Sequence, residues 1–314
     1  MSFTTDVKHE ICDDQLDEAQ ARAQLAALLL VKASLHMNSR GMYLSFSIEN
    51  ATVAKHVWKL LKRLYDVQPR LAVLRKMKLK KNNIYRIEVS QGCQTILSDL
   101  LIMDDKGLHN RPGYDLVRAE KNARAFIQGA FLASGSVNSP RTSNYHLEIS
   151  SAHEELAESL VKMMERFHIP ARITQRKNMF VVYVKAGDKV GDFLRLVNAS
   201  GCLMAFEDSR ISRDFYNQMR RLDNCEVANE MKSIKAARSQ LDAIEVLESR
   251  VGREKLPEKV REAMDIRKQF PEASITELCD EIYKASGHII SKSGMKHRLR
   301  RISELAQEVL DESA

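Results

Sequence analysis

The densest run of chemically useful side chains lies near the end of the sequence. Lys292, Lys296 and Arg300 recur at i, i+4 spacing, accompanied by Ser291, Ser293, His297, Arg298 and Arg301. No Asp or Glu occurs between Lys284 and Ser303, after which Glu304, Glu308 and Asp311 return. On a helix this spacing gathers the cations on one flank. Cations so placed neutralise phosphates, and short polar side chains among them reach base edges. Ser293, Lys296, His297 and Arg300 are the candidates for base contact, and the eight residues together form the candidate DNA-binding set.

Three elements must hold that set in place. Met295, Leu299, Ile302, Ala306 and Val309 keep a three-and-four spacing. This predicts a helix from Ser291 or Ser293 to about Val309 with one buried stripe. Ser274-Ile-Thr-Glu277 is a capping box that opens a short helix, Ile275 to Tyr283, followed by a turn containing Gly287. An earlier helix, Glu258 to Gln269, opens after Pro257 and stops before Pro271. A charge run alone is usually only a solvated face. A capped short helix, a glycine turn and a one-sided basic helix together read as a helix-turn-helix at about 274–307, with the basic helix entering the major groove.

Composition bounds the rest. The 314 residues, 44% hydrophobic and 29% charged, fit two or three globular units, and a net charge of +7 is compatible with a polyanionic partner. The five cysteines are far apart with no Cys-x-x-Cys pair, which predicts reduced thiols, mostly as small core residues, in a cytoplasmic protein, with no zinc site and no disulfide framework. No apolar run of about 18 residues and no signal-peptide pattern is present, so no membrane association is expected.

The first two hundred residues contain a repeat. Leu25–Leu35 and Ile127–Val137 are apolar helical stretches rich in small residues; Ala27 aligns with Gly129, Ala33 with Gly135 and Ser34 with Ser136. Each is followed by a strand (Tyr43 to Ile48; Tyr145 to Ser150) and a helix (Ala51 to Tyr65; Ala152 to His168). A hairpin follows (Arg70 to Lys80 with Asn83 to Val89; Ala171 to Arg176 with Met179 to Val184), then a closing helix (Gln91 to Met103; Asp188 to Val197). The expected unit is α-β-α-β-β-α, duplicated, with Asp104 to Tyr114 as linker. The alternating Lys76, Lys78 and Lys80, with Arg176 and Lys177 from the second copy, form either a phosphate-contacting sheet face or a solvated one.

This duplication resembles the single-chain, two-repeat LAGLIDADG homing endonucleases. The resemblance implies two motif helices packed at a pseudo-symmetry axis and two sheets forming a saddle over DNA. The chemistry of that family depends on one acid near the end of each motif helix, because Mg²⁺ is a hard cation held by oxygen ligands. Here those positions are Lys32 and Ser134, and neither stretch, Arg22 to His36 or Arg124 to Val137, contains Asp or Glu. The expectation is a LAGLIDADG-like fold that is not an enzyme, with no catalytic residue, no metal and no cofactor.

An N-terminal Ser-Phe-Thr-x-x-Val-Lys-x-Glu, the degenerate helix pair, Asn224-Cys-Glu-Val-Ala-Asn229 and Ser291-Lys-Ser-Gly-Met-Lys-His-Arg-Leu-Arg-Arg301 together resemble the WhiA family over essentially the whole chain. That resemblance implies a non-catalytic DNA-binding regulator, nucleoid-associated, acting in cell division, chromosome segregation and, in spore formers, sporulation. Double-stranded DNA is the implied partner, with a sigma factor or RNA polymerase as a protein partner. A monomer is the default, since no zipper is present. The expected fold class is α+β: an N-terminal segment (1–20), a LAGLIDADG-like tandem-repeat domain (21–205, repeats about 21–103 and 120–199), connecting helices (206–250) and an all-α helix-turn-helix domain (251–314). Two other readings stand beside it. One is an active endonuclease, which Lys32 and Ser134 oppose. The other is an N-terminal docking platform for a protein, with DNA left to the C-terminal domain.

Overall fold

The computed structural model describes residues 2–38, 41–75, 83–142 and 144–312. By contacts the chain divides into Met1–Arg213 and Asp214–Ala314.

The N-terminal unit opens with α1 (Phe3–Asp13) and continues with α2 (Glu18–Lys32), β1 (Ala33–Asn38), β2 (Gly41–Ile48), α3 (Ala51–Tyr65), β3 (Arg70–Arg75), β4 (Asn83–Val89) and α4 (Cys93–Asp99). A small ribbon, β5 (Met103–Asp104) with β6 (Gly107–Leu108), and the short α5 (Tyr114–Val117) join the copies. The second copy is α6 (Glu120–Ser134), β7 (Ser136–Val137), β8 (Leu147–Ser151), α7 (Glu154–Arg166), β9 (Arg172–Arg176), β10 (Met179–Val184) and α8 (Gly187–Leu196). The sheets have the same antiparallel order, β1-β2-β4-β3 and β7-β8-β10-β9. The duplication is therefore topological as well as compositional.

Two expectations are corrected. The motif helices do not reach His36 and Val137; they stop at Lys32 and Ser134, and each chain turns directly into an edge strand. Pairing with β2 and β8 outweighs the helical continuation suggested by the apolar run. Each unit is thus α-β-β-α-β-β-α. Within the N-terminal segment, Ser2 caps α1, and Val7 and Ile11 are fully buried.

α2 begins in a capping box, with Asp17 accepting from the Gln20 amide at 2.9 Å and Gln20 accepting from the Asp17 amide at 2.8 Å. It lies alongside α6, with Lys121 reaching Asp17 at 2.6 Å near the starts of both helices. Small residues set how closely the helices approach. A Cβ on Gly129 would stand 2.3 Å from the Gln24 carbonyl oxygen and 2.9 Å from the Ala27 Cβ, so only glycine fits that crossing. Leu25, Leu28, Phe126 and Phe131 are fully buried around the seam, each contributing about 1.5–3 kcal/mol by burial. A polar network ending on the Asp14 carboxylate crosses it: Gln24 donates to Gln128 at 3.2 Å, Gln128 donates to Asp14 at 2.9 Å and to the Val197 carbonyl at 3.1 Å, and His56 bonds Gln24.

After α8 comes a single helix, α9 (Ser200–Arg250), where one or two were expected. In the C-terminal unit it is followed by a 3₁₀ turn (Arg253–Lys255), α10 (Glu258–Gln269), α11 (Ile275–Ser286) and α12 (Lys292–Asp311). Ile244 and Leu247 of α9 join Val260, Ala263, Met264, Leu278, Ile282, Met295, Leu299 and Ile302 in a separate core. The fold class is α+β, two LAGLIDADG-like repeats followed by an all-α helix-turn-helix unit.

Candidate nucleic-acid interface

α11 starts at the expected capping box. The Ser274 hydroxyl accepts from the Glu277 amide at 3.3 Å, and the Glu277 carboxylate accepts from the Ser274 amide at 2.6 Å. The Ser274 amide, then the Ser274 hydroxyl, hold the Glu277 carboxyl below the usual carboxylate range. The helix ends at Gly287, whose φ of 70° lies in the left-handed region that glycine adopts without strain. The Ser291 hydroxyl then caps α12 by accepting from the Gly294 amide at 3.1 Å. Ser291 is therefore a helix-capping group first.

The remaining candidates sort into two sets. Lys292, Ser293, Lys296 and His297 are exposed, and among the described residues their side chains enter no hydrogen bond or ion pair. Arg298, Arg300 and Arg301 do. The Arg298 guanidinium is turned toward α10, where it pairs with Glu262 and is only 18% exposed. Arg300 reaches Glu304 at 2.9 Å, and Arg301 reaches Glu304 at 3.5 Å and Glu308 at 3.1 Å. The Arg300 contact, then Arg301, lowers the Glu304 carboxyl. Free positive charge is thus concentrated in the first turns of α12, and its later arginines are matched by acids.

Sequence reasoning missed Arg267. It is 2% exposed, and its guanidinium donates to the Phe270, Pro271 and Ala273 carbonyls, the last at 2.7 Å. It thereby ties down the α10–α11 turn. Its only signal was an arginine in the last turn of a helix before Pro271, which resembles ordinary C-terminal charge placement. Ile289, 88% exposed in the turn before α12, was also passed over.

In the N-terminal unit, Lys76, Lys78 and Lys80 lie outside the described residues. Arg176 is exposed but pairs with Glu148 at 3.2 Å, and His146 bonds the same carboxylate at 3.0 Å. Lys177 occupies the hairpin turn at φ 54°. At the ends of the motif helices, Ser134 donates to the Ser150 carbonyl at 2.6 Å and accepts from the Ser150 amide at 3.2 Å, so it clamps β8. Lys32 is exposed. Lys8 of α1 lies 5.8 Å above the Phe131 ring, and burial, then the neighbouring Lys32 charge, lower its ammonium to about 8. At neutral pH two cations stand near these helix ends. Among the described residues no three His, Cys, Asp or Glu side chains gather in a way that could hold a metal.

The fold and these sites define a class: a LAGLIDADG-like two-repeat domain joined to a helix-turn-helix domain. Residues 18–103 match the WhiA N-terminal LAGLIDADG-like domain, residues 123–216 the WhiA LAGLIDADG-like domain, and residues 219–306 the WhiA C-terminal HTH domain. The chain is 41% identical to the "Probable cell division protein WhiA" of Enterococcus faecalis, covering 100% of both chains. It is 40% identical to the protein of the same name in Bacillus licheniformis, covering 98% of this chain and 97% of that one. Its fold is similar to that of full-length WhiA from Thermatoga maritima, with TM-score 0.60 at 21% identity over 98% and 99% of the two chains. The chain belongs to the WhiA family.

Proposed function

We propose that the chain is a sequence-specific DNA-binding regulator without catalytic activity, and that α12 is its recognition helix. The acid-free first turns of α12 carry the reading. Lys292, Ser293, Lys296 and His297 are exposed and uncommitted where a recognition helix meets the groove. Ile289, next to them, offers an apolar contact for a thymine methyl or a sugar. Arg267 and the Arg298–Glu262 pair hold the three helices in a fixed arrangement, which base readout requires.

The non-catalytic reading rests on donor chemistry. A hard divalent cation needs oxygen ligands, and Lys32 with Lys8 beside it repels one, while both hydrogen-bonding roles of the Ser134 hydroxyl are taken by β8. Family membership supports a role in cell division, with transcription regulation, chromosome segregation and sporulation as finer expectations from the resemblance. A cytoplasmic, nucleoid-associated monomer on a non-palindromic site, meeting a sigma factor or RNA polymerase, completes the proposal. No helix among the described residues is long and apolar enough to cross a membrane.

Selection of bound duplexes from random DNA by the full-length protein tests the reading. A recurrent site, protected in a footprint, is the expected result. No enrichment, together with no duplex retention at low ionic strength, overturns it. Metal-dependent nicking of plasmid in proportion to protein would instead revive nuclease activity.

A further inference from the structure

Within α9, every residue from Asp214 to Ala236 is exposed, whereas Ala237 is buried and Ile244 and Leu247 pack into the C-terminal core. A helix stretch of this length with no buried face gains nothing from tertiary packing, and isolated helices are marginal in water. Its charges are nevertheless sorted. Counting about 100° per residue, Arg220, Arg221, Lys232, Lys235 and Arg238 fall within an arc of roughly 120°. Of the four acids between Asp214 and Arg238, Asp223, Glu226 and Glu230 fall on the opposite side of the helix, and Asp214 falls at the edge of the arc. Asn224 and Ala228 lie within the cationic arc.

None of these five cations enters an ion pair among the described residues, although Asp223 lies three positions from Arg220. A helix that is merely solvated is usually stitched by i, i+3 and i, i+4 pairs and gains nothing from segregating charge by face. A helix that lies in a groove needs cations along its flanks to meet phosphates, a small residue for close approach, and an amide that pairs bidentately with adenine. The arc supplies all three, and from Arg220 to Arg238 it runs about 27 Å, well under one turn of duplex.

We propose that this face of α9 is a second duplex-contacting surface, with Arg220, Arg221, Lys232, Lys235 and Arg238 on phosphates and Asn224 directed at base edges. The inference rests on the DNA-binding reading above. It adds a contact surface outside the helix-turn-helix and makes the bound site longer than one helix reads.

The full-length protein and its selected duplex provide the test. A variant carrying Arg221→Gln, Lys232→Gln, Lys235→Gln and Arg238→Gln keeps helix-forming residues at every changed position. The slope of log affinity against log salt is expected to fall by about 2 to 4, with loss of one end of the footprint. Asn224→Ala is expected to leave the slope unchanged and relax base preference at one position of that end. Circular dichroism matching the parent shows that the helix persists. A variant with the parental slope and footprint overturns this inference alone, because the parent still binds. Failure of the parent to bind any duplex overturns the DNA-binding reading itself.

Discussion

The open face of the second sheet and the first turns of α12 both expose cations, but they differ in what surrounds each charge. On the sheet, Glu148 sits opposite Tyr183 on β10 and accepts from both Arg176 and His146. On α12, no acid stands beside Lys292 or Lys296, and the acids begin only at Glu304. On the same sheet Arg172 and Lys177 are exposed and, among the described residues, enter no ion pair, so the sheet mixes a held cation with free ones where the start of α12 carries only free ones. A polyanion competes for free cations, and where a carboxylate already holds the cation it must first displace that carboxylate. Pairing separates Arg176 from Lys292 and Lys296 as binding groups.

The largest effect is expected where charge is free. Lys292→Ala combined with Lys296→Ala should cost about 2–4 kcal/mol of specific binding, read by titration of a selected duplex. Thermal unfolding should be unchanged, since neither side chain has a partner in the fold. Parental affinity in the double variant would remove α12 from the interface and erase the contrast with the sheet.

A second contrast lies inside the two units. The N-terminal seam is crossed by a network centred on the Gln24 and Gln128 amides, whereas the ties in the C-terminal unit are charged, Arg267 on carbonyls and Arg298 on Glu262. Burial, then the Lys59 charge, pushes the His56 imidazole down to about 4 from an ordinary value of 6.5. Between those values the unfolded chain binds the proton and the folded chain does not, so stability falls as pH falls. The loss should reach about 2 kcal/mol by pH 5. Urea unfolding at pH 7 and pH 5 should show that drop in the parent but not in His56→Gln. An equal drop in both would mean that His56 does not set the pH sensitivity of the seam.

How much of this was legible depends on whether the signal was local. The helix Ala51–Tyr65, the second hairpin, where Arg176 pairs with Met179, and the Ser274–Glu277 box were readable because periodicity and capping act within a few residues; the first hairpin differs, with Arg75 and not Lys80 opposite Asn83. The seam was legible through Gly129 and the small residues beside it. β1 was hidden: Ala33-Ser-Leu-His-Met-Asn continues an apolar run, and only its pairing with β2, residue Ala33 to Phe46, makes it a strand. Arg267 was hidden because its role is defined by three carbonyls of a turn. The split of the α12 arginines into paired and unpaired was half visible. Glu304 and Glu308 stand at helical spacing from Arg300 and Arg301, but Glu262, the partner of Arg298, is 36 positions away. Of the thiols expected mostly in cores, Cys93 and Cys202 are buried, Cys12 and Cys279 half-buried and Cys225 exposed on α9.

Arg298 sharpens the comparison from the paired side. Arg298→Met should lower the stability of the C-terminal unit by about 1–2 kcal/mol, because Glu262 is left half-buried without its partner. At temperatures well below unfolding the variant should bind the duplex as the parent does. A loss of affinity with unchanged stability would show that Arg298 leaves Glu262 to reach DNA.

The smallest effect belongs to Arg176. Its ion pair with Glu148 is exposed on the arginine side, and exposed pairs contribute about 0–1 kcal/mol. Removing it leaves His146 to occupy the carboxylate at 3.0 Å. Arg176→Ala should therefore change neither unfolding nor duplex affinity by more than about 0.5 kcal/mol. Glu148→Gln is the informative partner experiment. If the sheet contacts phosphate, releasing Arg176 from its acid should strengthen binding and steepen the salt dependence by about one unit. If duplex binds through helices alone, Glu148→Gln should leave both unchanged, and Arg176 would lie outside the interface whether its acid holds it or not.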